Sequence, residues 1–421
     1  MPGMKFSVAN NTNIKQALFN KRMLICVFTG FSSGLPLYIL IALLPAWLRS
    51  EGVDLKSIGL FALIQLPFTW KFLWAPLFDR YIPPFGRRRG WLFITQMALL
   101  SSIPAFGALH PDLDLWTIAY LAVVVAFFSA SQDIVLDAYR RELLLDTELG
   151  LGNAIHVNAY KIAGLVPGSL SLILADHLPW SSVFLITALF MLMGIVMTLF
   201  VSEPTLKNGA PKTLRAAVVE PFQEFIGRNG LKSAGLVLAF IFFYKLGDSM
   251  ATALATPFYL DMGFSKTEIG LIAKNAGLWP SVIGGLLGGI WMINLGINRA
   301  LWIFGVVQMA AILGFAWLAT VGHSPLWLAM VIGTEALGVG LGTAAFVAFI
   351  AHATHPLYTA TQFALFTSLA AVPRTFANAA TGYLVEWFGW ATFFLFCFVI
   401  AIPGMLLLLK VAPWNGQQNA Q

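Results

Sequence analysis

Twelve times along this chain, about twenty residues pass with almost no charge, the length an α-helix needs to cross a hydrocarbon core of roughly 30 Å. The windows fall at about 23–47, 57–78, 91–109, 115–138, 153–175 and 180–201. After a break they resume at about 233–260, 268–291, 299–320, 326–350, 357–382 and 390–411. Backbone polar groups find no water inside a bilayer, so each window is expected to satisfy its own hydrogen bonds as a helix. Only 10% of residues are charged and mean hydropathy is +0.79, against roughly 25% charge in an ordinary globular chain. The expected class is an all-α polytopic membrane protein. The net charge of +6 signals no nucleic-acid partner, because the basic residues are distributed by topology.

With twelve spans, seventeen Lys and Arg fall on the side of the termini and only Arg49, Lys56 and Lys266 on the other. The positive-inside rule then puts both termini in the cytoplasm. Residues 1–22 read as a cytoplasmic tail, with no small-residue cleavage site, so the first span is expected to be retained. Residues 23–201 and 232–412 read as two six-helix bundles, and 413–421 as a second cytoplasmic tail. Between the bundles, 202–231 places Leu214, Val218, Phe222, Phe225 and Ile226 at helical spacing, which predicts an amphipathic linker lying on the inner leaflet. Cys26 and Cys397 lie in apolar windows, where a disulfide is not expected.

The halves echo each other at an offset of about 210. Gly52 to Leu60, GVDLKSIGL, returns as GFSKTEIGL from Gly263, where Ser265 and Glu268 have capping-box spacing; PWSSVFL from Pro179 is answered by GWATFFL from Gly389. Two such units related by an axis along the membrane normal is the plan of major facilitator transporters, whose cavity lies between the units at mid-depth.

Five basic residues, Lys71, Lys161, Lys245, Lys274 and Arg374, fall inside windows. Lys245 and Asp248 share a window and, three apart, one helical face. Each charge costs roughly 2.5–3.5 kcal/mol at a helix centre, so the pair must face protein or water. It reads either as a substrate or proton site or as an ion pair holding two helices together. Glu335, near mid-depth beside Gly338, Gly340 and Gly342, suits a proton carrier because desolvation disfavours its charged form; a carboxyl bonded to a neighbouring helix is the other reading. Asp133 divides between proton carriage and the network of Asp137, which is within a turn of the cytoplasm and is expected to pair with an arginine of the loop from Arg80 to Arg89. Gly30, Gly34 and Pro36 interrupt the first span, while Gly284, Gly285, Gly288 and Gly289 repeat a small-residue spacing that serves helix contact. His352 and His355 fall in a loop with no third metal ligand type nearby, and no phosphate-cradling or zinc-protease motif is present. No cofactor is expected.

The loop WAPLFDRYIPPFGRRRG, from Trp74, is close to the facilitator signature of Gly, three residues, Asp, a basic residue, one residue, Gly and two basic residues. Asp79, Arg80, Gly86, Arg87 and Arg88 match; Ala75 stands at the first glycine, and Pro83 and Pro84 lengthen the loop. In that family the motif latches the cytoplasmic helix ends in one conformation and releases them in the other. GFSSGLPL, FLWAPLFDRYIPPFGRRRGW, FFSASQDIVLDA, YKLGD, GLGTAAFVA and TATQFALF, in that order along nearly the whole chain, resemble the AmpG-type muropeptide permeases.

The resemblance implies a monomeric bacterial inner-membrane importer, not an enzyme. Its cargo would be anhydro-muropeptides: N-acetylglucosamine-anhydro-N-acetylmuramic acid, with or without peptide, taken from periplasm to cytoplasm with protons for cell-wall recycling and β-lactamase induction. Such a ligand needs stacking platforms, neutral donors and cations. Candidates are Trp70, Tyr160, Tyr244 and Trp279, with Trp74; Gln65, Gln132, Asn275 and Gln362, with Asn158; and Lys161, Lys274 and Arg374. Asp133, Lys245, Asp248 and Glu335 are the proton-coupling candidates, and Asp137 joins the latch. Two other readings stay open: the same fold carrying an acetyl-CoA-like or nucleotide-like anion, and a polytopic enzyme acting on lipid-linked sugars.

Overall fold

The computed structural model describes residues 20–53, 64, 66–204, 214–264 and 268–415, and contains no strand among them. The first half comprises α1 (Lys21–Leu48), α2 (66–80), α3 (Arg89–Ala108), α4 (Leu115–Leu143), α5 (Asp146–Ala175) and α6 (Trp180–Phe200). A linker helix over 214–229 leads to the second half, α7 (230–261), α8 (269–295), α9 (297–321), α10 (Pro325–Ala353), α11 (359–388) and α12 (390–411). Among the described residues nine helices are long and apolar enough to cross a membrane.

Two of the helical runs are too long for a single crossing. Lys274–Val321 has 48 residues, about 72 Å if straight, more than twice the bilayer core. It is two passes, turned at Gly296, where φ is +73°; Gly389 does the same inside Thr359–Val411, and Gly230 divides the linker helix from α7. A side chain rarely tolerates that backbone conformation, so glycine marks each corner. The passes are in keeping with the twelve apolar windows.

Apolar burial holds helices together weakly when the solvent is itself apolar, so close backbone approach matters more. A Cβ at Gly30 or Gly34 of α1 would collide with the carbonyls of His156 or Tyr160 on α5. The expected interruption of α1 is milder than a break: after Pro36 the helix widens into a π segment over Ile39–Leu43. In α8 the two glycine pairs serve different partners. Gly284 and Gly288 pack on Leu337 and Leu341 of α10, while Gly285 and Gly289 meet Asn158 and Ala154 of α5, across the boundary between halves.

Cores follow the same division. At the end carrying most Lys and Arg, hereafter the basic end, one apolar cluster crosses the halves, joining Cys26, Leu144 and Leu151 to Met292, Phe349 and Phe363. At the opposite end each half keeps its own core, around Trp47, Phe106 and Phe184 in the first and Phe258, Phe315 and Phe394 in the second. The linker helix does not simply lie flat on a surface: Phe225 is buried against Phe366 of α11, while Phe222 and Ile226 are exposed. Residues 54–60 of the repeat and Ser265 lie outside the described residues, as do the side chains of Leu214 and Val218.

Candidate functional site

Mid-depth in the second half, α7 loses its helical turn between Phe243 and Leu246, and Lys245 caps the segment that follows. Its Nζ lies 3.8 Å from Asp248 Oδ2 and donates to Gln308 Oε1 of α9 at 3.2 Å. Gly338 and Gly342 of α10 leave the room that Gln308 occupies. Glu335, buried on the same helix, has Asp248, Lys245 and Lys161 as electrostatic neighbours. Lys161 comes from α5 of the first half, and its ammonium donates to Ser281 Oγ of α8. The structure thereby brings three of the four coupling candidates, Lys245, Asp248 and Glu335, together with the substrate candidate Lys161, spanning both halves, and leaves Asp133 outside the group. With all four charged the cluster is neutral; one added proton leaves it a net positive charge.

Asp133 belongs to a separate network in the first half. Its Oδ1 accepts from Ser33 Oγ at 2.6 Å, and the adjacent Gln132 donates to the Ser32 carbonyl at 2.6 Å. Lys71, in a 3-10 segment that breaks α2, reaches Asp137 at 3.7 Å. Arg140 contacts Asp137 at 2.8 Å and Asn153 Oδ1 at 2.7 Å, and His156 Nδ1 stands 3.1 Å from Thr29 Oγ1. His156 and Asn153 are buried residues that sequence reasoning missed. The available signal was spacing: His156 precedes Tyr160 by one turn, on the face that meets the α1 glycines.

At the basic end Asp79 joins the halves. Oδ1 takes Arg88 at 2.8 Å and Arg87 at 3.6 Å, while Oδ2 accepts from Thr361 N at 2.9 Å and Thr361 Oγ1 at 2.8 Å, on α11. Glu142 accepts from Arg87 at 2.6 Å and Arg88 at 2.7 Å. Burial works against the Arg88 charge, but Glu142 and Asp79 more than offset it and raise its pKa. Gly86 has φ +111°, and a Cβ there would press on Glu203, whose carboxylate caps α3 through the amides of Arg88 and Arg89 at 2.7 and 3.0 Å.

Two latch expectations are corrected. Asp137 pairs with Arg140 and Lys71 rather than with a loop arginine; it lies five residues, about 7.5 Å, deeper than Glu142, which takes that place. Arg80 stands over the Tyr81 ring, 5.5 Å from its centroid, apart from the ion pairs around Asp79.

Several substrate candidates are engaged in packing instead. Tyr244 is buried with its hydroxyl on the Leu301 carbonyl and its ring stacked on Phe346. Gln362 sits at the basic end, donating to the Pro221 carbonyl and Glu224 and accepting from His355 N, so it clamps the linker helix. Gln132 holds α1. Trp70 is 48% exposed and stacked on Phe72, Tyr160 meets Tyr38, and Trp74 donates to Ser131. Asn275 and Trp279 are exposed on α8, Trp279 by 54%. Gln65 lies outside the described residues, and so do the side chains of Lys274 and Arg374. Asn158 is buried against Gly285 with neither amide atom hydrogen-bonded among the described residues.

Comparison with known proteins fits this geometry. The sequence profile of the Major Facilitator Superfamily matches residues 26–378. An uncharacterized protein of Haemophilus influenzae is 52% identical over 419 residues, 97% of this chain and 99% of its own. The anhydromuropeptide permease of Escherichia coli is 45% identical over 392 residues, 92% of this chain and 79% of its own. The crystal structure of the human organic anion transporter MFSD10 (TETRAN) superposes with a TM-score of 0.71 over 92% of this chain and 98% of its own; at 15% identity it speaks for the fold alone. The chain belongs to the Major Facilitator Superfamily and, within it, to the AmpG-type permeases, a family of transporters rather than enzymes.

Proposed function

We propose that this protein imports anhydro-muropeptides across a bacterial inner membrane from periplasm to cytoplasm, coupled to protons, by alternating access. The observation that carries the cargo is the 45% identity to the Escherichia coli anhydromuropeptide permease along 92% of this chain. In this reading the basic end is cytoplasmic, as its excess of Lys and Arg favours, and the joined cores there make the conformation closed to the cytoplasm. The two halves form the moving bodies, and the separate cores at the other end are the side from which cargo enters.

Coupling is supported by the mid-depth cluster. A proton on Glu335 or Asp248 leaves Lys161 and Lys245 in excess, ready for an anionic sugar-peptide, and loss of that proton restores neutrality and releases the cargo. Asp133, held by Ser33, is the second proton-carrying candidate. One proton crossing about 100 mV supplies roughly 2.3 kcal/mol, enough for about 50-fold accumulation.

The test is uptake of labelled anhydro-muropeptide into proteoliposomes with and without an inward proton gradient. Accumulation that collapses with an uncoupler supports the reading. Uptake indifferent to the gradient would remove the coupling, and failure of unlabelled anhydro-muropeptide to compete would remove the cargo.

A further inference from the structure

Between α1 and α6, on the outer surface of the first half, runs a groove of about 490 Å³. Leu24 and Phe28 line one wall and Met193, Val196 and Phe200 the other, with Lys21 at its basic end; every other lining residue is apolar. Leu24 is 57% and Phe200 81% exposed, so the groove opens outward toward the membrane rather than into the bundle. Ile25, Met197 and Val201, all buried, form its inner side, and nearby Gly194 of α6 packs directly on Ser32 of α1.

The length is informative. Lys21 to Phe28 along α1 spans about 10 Å and Leu192 to Val201 along α6 about 13 Å, against about 15 Å for one leaflet of the hydrocarbon core. The charge is also informative. Arg22, the next residue, is committed to Glu148 at 3.0 Å, whereas Lys21 has no hydrogen-bond or ion-pair partner among the described residues. A solitary ammonium at the headgroup level of an otherwise apolar, membrane-facing slot matches a phosphate joined to an acyl chain.

We infer that this groove is a binding site for an anionic phospholipid of the leaflet at the basic end, with one acyl chain between α1 and α6 and the phosphate on Lys21. The site is independent of the cargo. It ties lipid to α1, the helix whose other face packs on α5 and carries Ser33 to Asp133.

Native mass spectrometry of the full chain, released from detergent after exposure to equal phosphatidylglycerol and phosphatidylethanolamine with matched chains, tests this. The unaltered protein is expected to retain the anionic lipid about fivefold over the zwitterionic one, the selectivity one lysine supplies near a charged surface. Lys21→Gln brings the ratio near one while total lipid stays. Val196→Trp fills the slot and lowers retention of both lipids, with size-exclusion profiles confirming that each variant folds. An unchanged ratio in Lys21→Gln, as for general annular lipid or a headgroup held by another cation, overturns the headgroup assignment; unchanged retention in Val196→Trp overturns the groove.

Discussion

Asn158 is a polar group placed at a disadvantage. Its amide is enclosed between α5 and α8 with no hydrogen-bond partner among the described residues, and a buried unsatisfied amide costs about 1–3 kcal/mol. That cost falls only on the conformation in which the basic end is joined, since parting the helices returns the amide to water or cargo. Asn158→Leu, close in shape, should favour the joined state by about fivefold or more and slow transport, measured as the closed population between spin labels on the two halves. An unchanged distribution would show that the amide has partners in both states. Glu335→Gln makes the complementary test at the cluster: the neutral side chain should abolish gradient-driven accumulation while counterflow exchange persists, and loss of both would make Glu335 a cargo or structural residue. The charged members of the cluster were legible in the sequence because lipid makes them costly wherever they occur. Their neutral companions Ser281 and Gln308, like Ser33 beside Asp133, were not, since each contact joins different helices and nothing in the spacing along one helix says which neighbour it faces.

The amphipathic linker was legible as a helix but not in its docking. The loop after α10 holds it: Tyr358 donates to Glu220 at 2.5 Å, Gln362 bonds Glu224 and the Pro221 carbonyl, and Arg228 reaches the Ala353 carbonyl at 2.8 Å. His355 organises that loop, its Nδ1 accepting from Leu357 N at 3.2 Å, a bond only the unprotonated nitrogen makes. Burial lowers its pKa, and Arg228 and Arg141 add to this against Glu224. The folded loop therefore binds the proton less readily than a free histidine of about 6.5, so docking is complete above that pH and weakens as pH falls toward the lower folded value. Amide exchange across 354–358, corrected for intrinsic rates, should quicken between pH 7.5 and 5.5, and His355→Ala should exchange fast at both. Equal protection at both pH values in the unaltered protein would remove histidine from the linkage. The local irregularities had no such sequence signal: the 3-10 segment at Lys71 and the lost turn at Lys245 are set by tertiary packing around buried charge, whereas Gly230, Gly296 and Gly389 mark corners that composition alone did not reveal.

At the scale of the whole molecule, the apolar windows and the 210-residue echo were enough to anticipate the class, because lipid permits few ways to bury a backbone. They were silent on which end is joined, since one sequence must support both states of a moving transporter. The junction itself offers a direct test. At the basic end α5 meets α8 so closely that a Cβ on Gly150 would lie 2.8 Å from that of Met292. Disulfides need about 3.5–4.5 Å between Cβ atoms, a relaxation of roughly 1 Å for the pair Gly150→Cys and Met292→Cys. The native Cys26 and Cys397 are buried and do not compete. Oxidation should therefore link the halves and hold the basic end shut. In the proposed cycle cargo leaves on that side only when α5 and α8 part, so net uptake should fall to background in the oxidised double variant and return on reduction. Each single variant should give the same uptake with oxidant as without it, whatever the close contact of Gly150→Cys with Met292 costs the junction. A fully linked protein that still delivers cargo would mean the α5–α8 junction stays closed throughout the cycle, and that the opening at this end occurs instead where Asp79 releases Thr361.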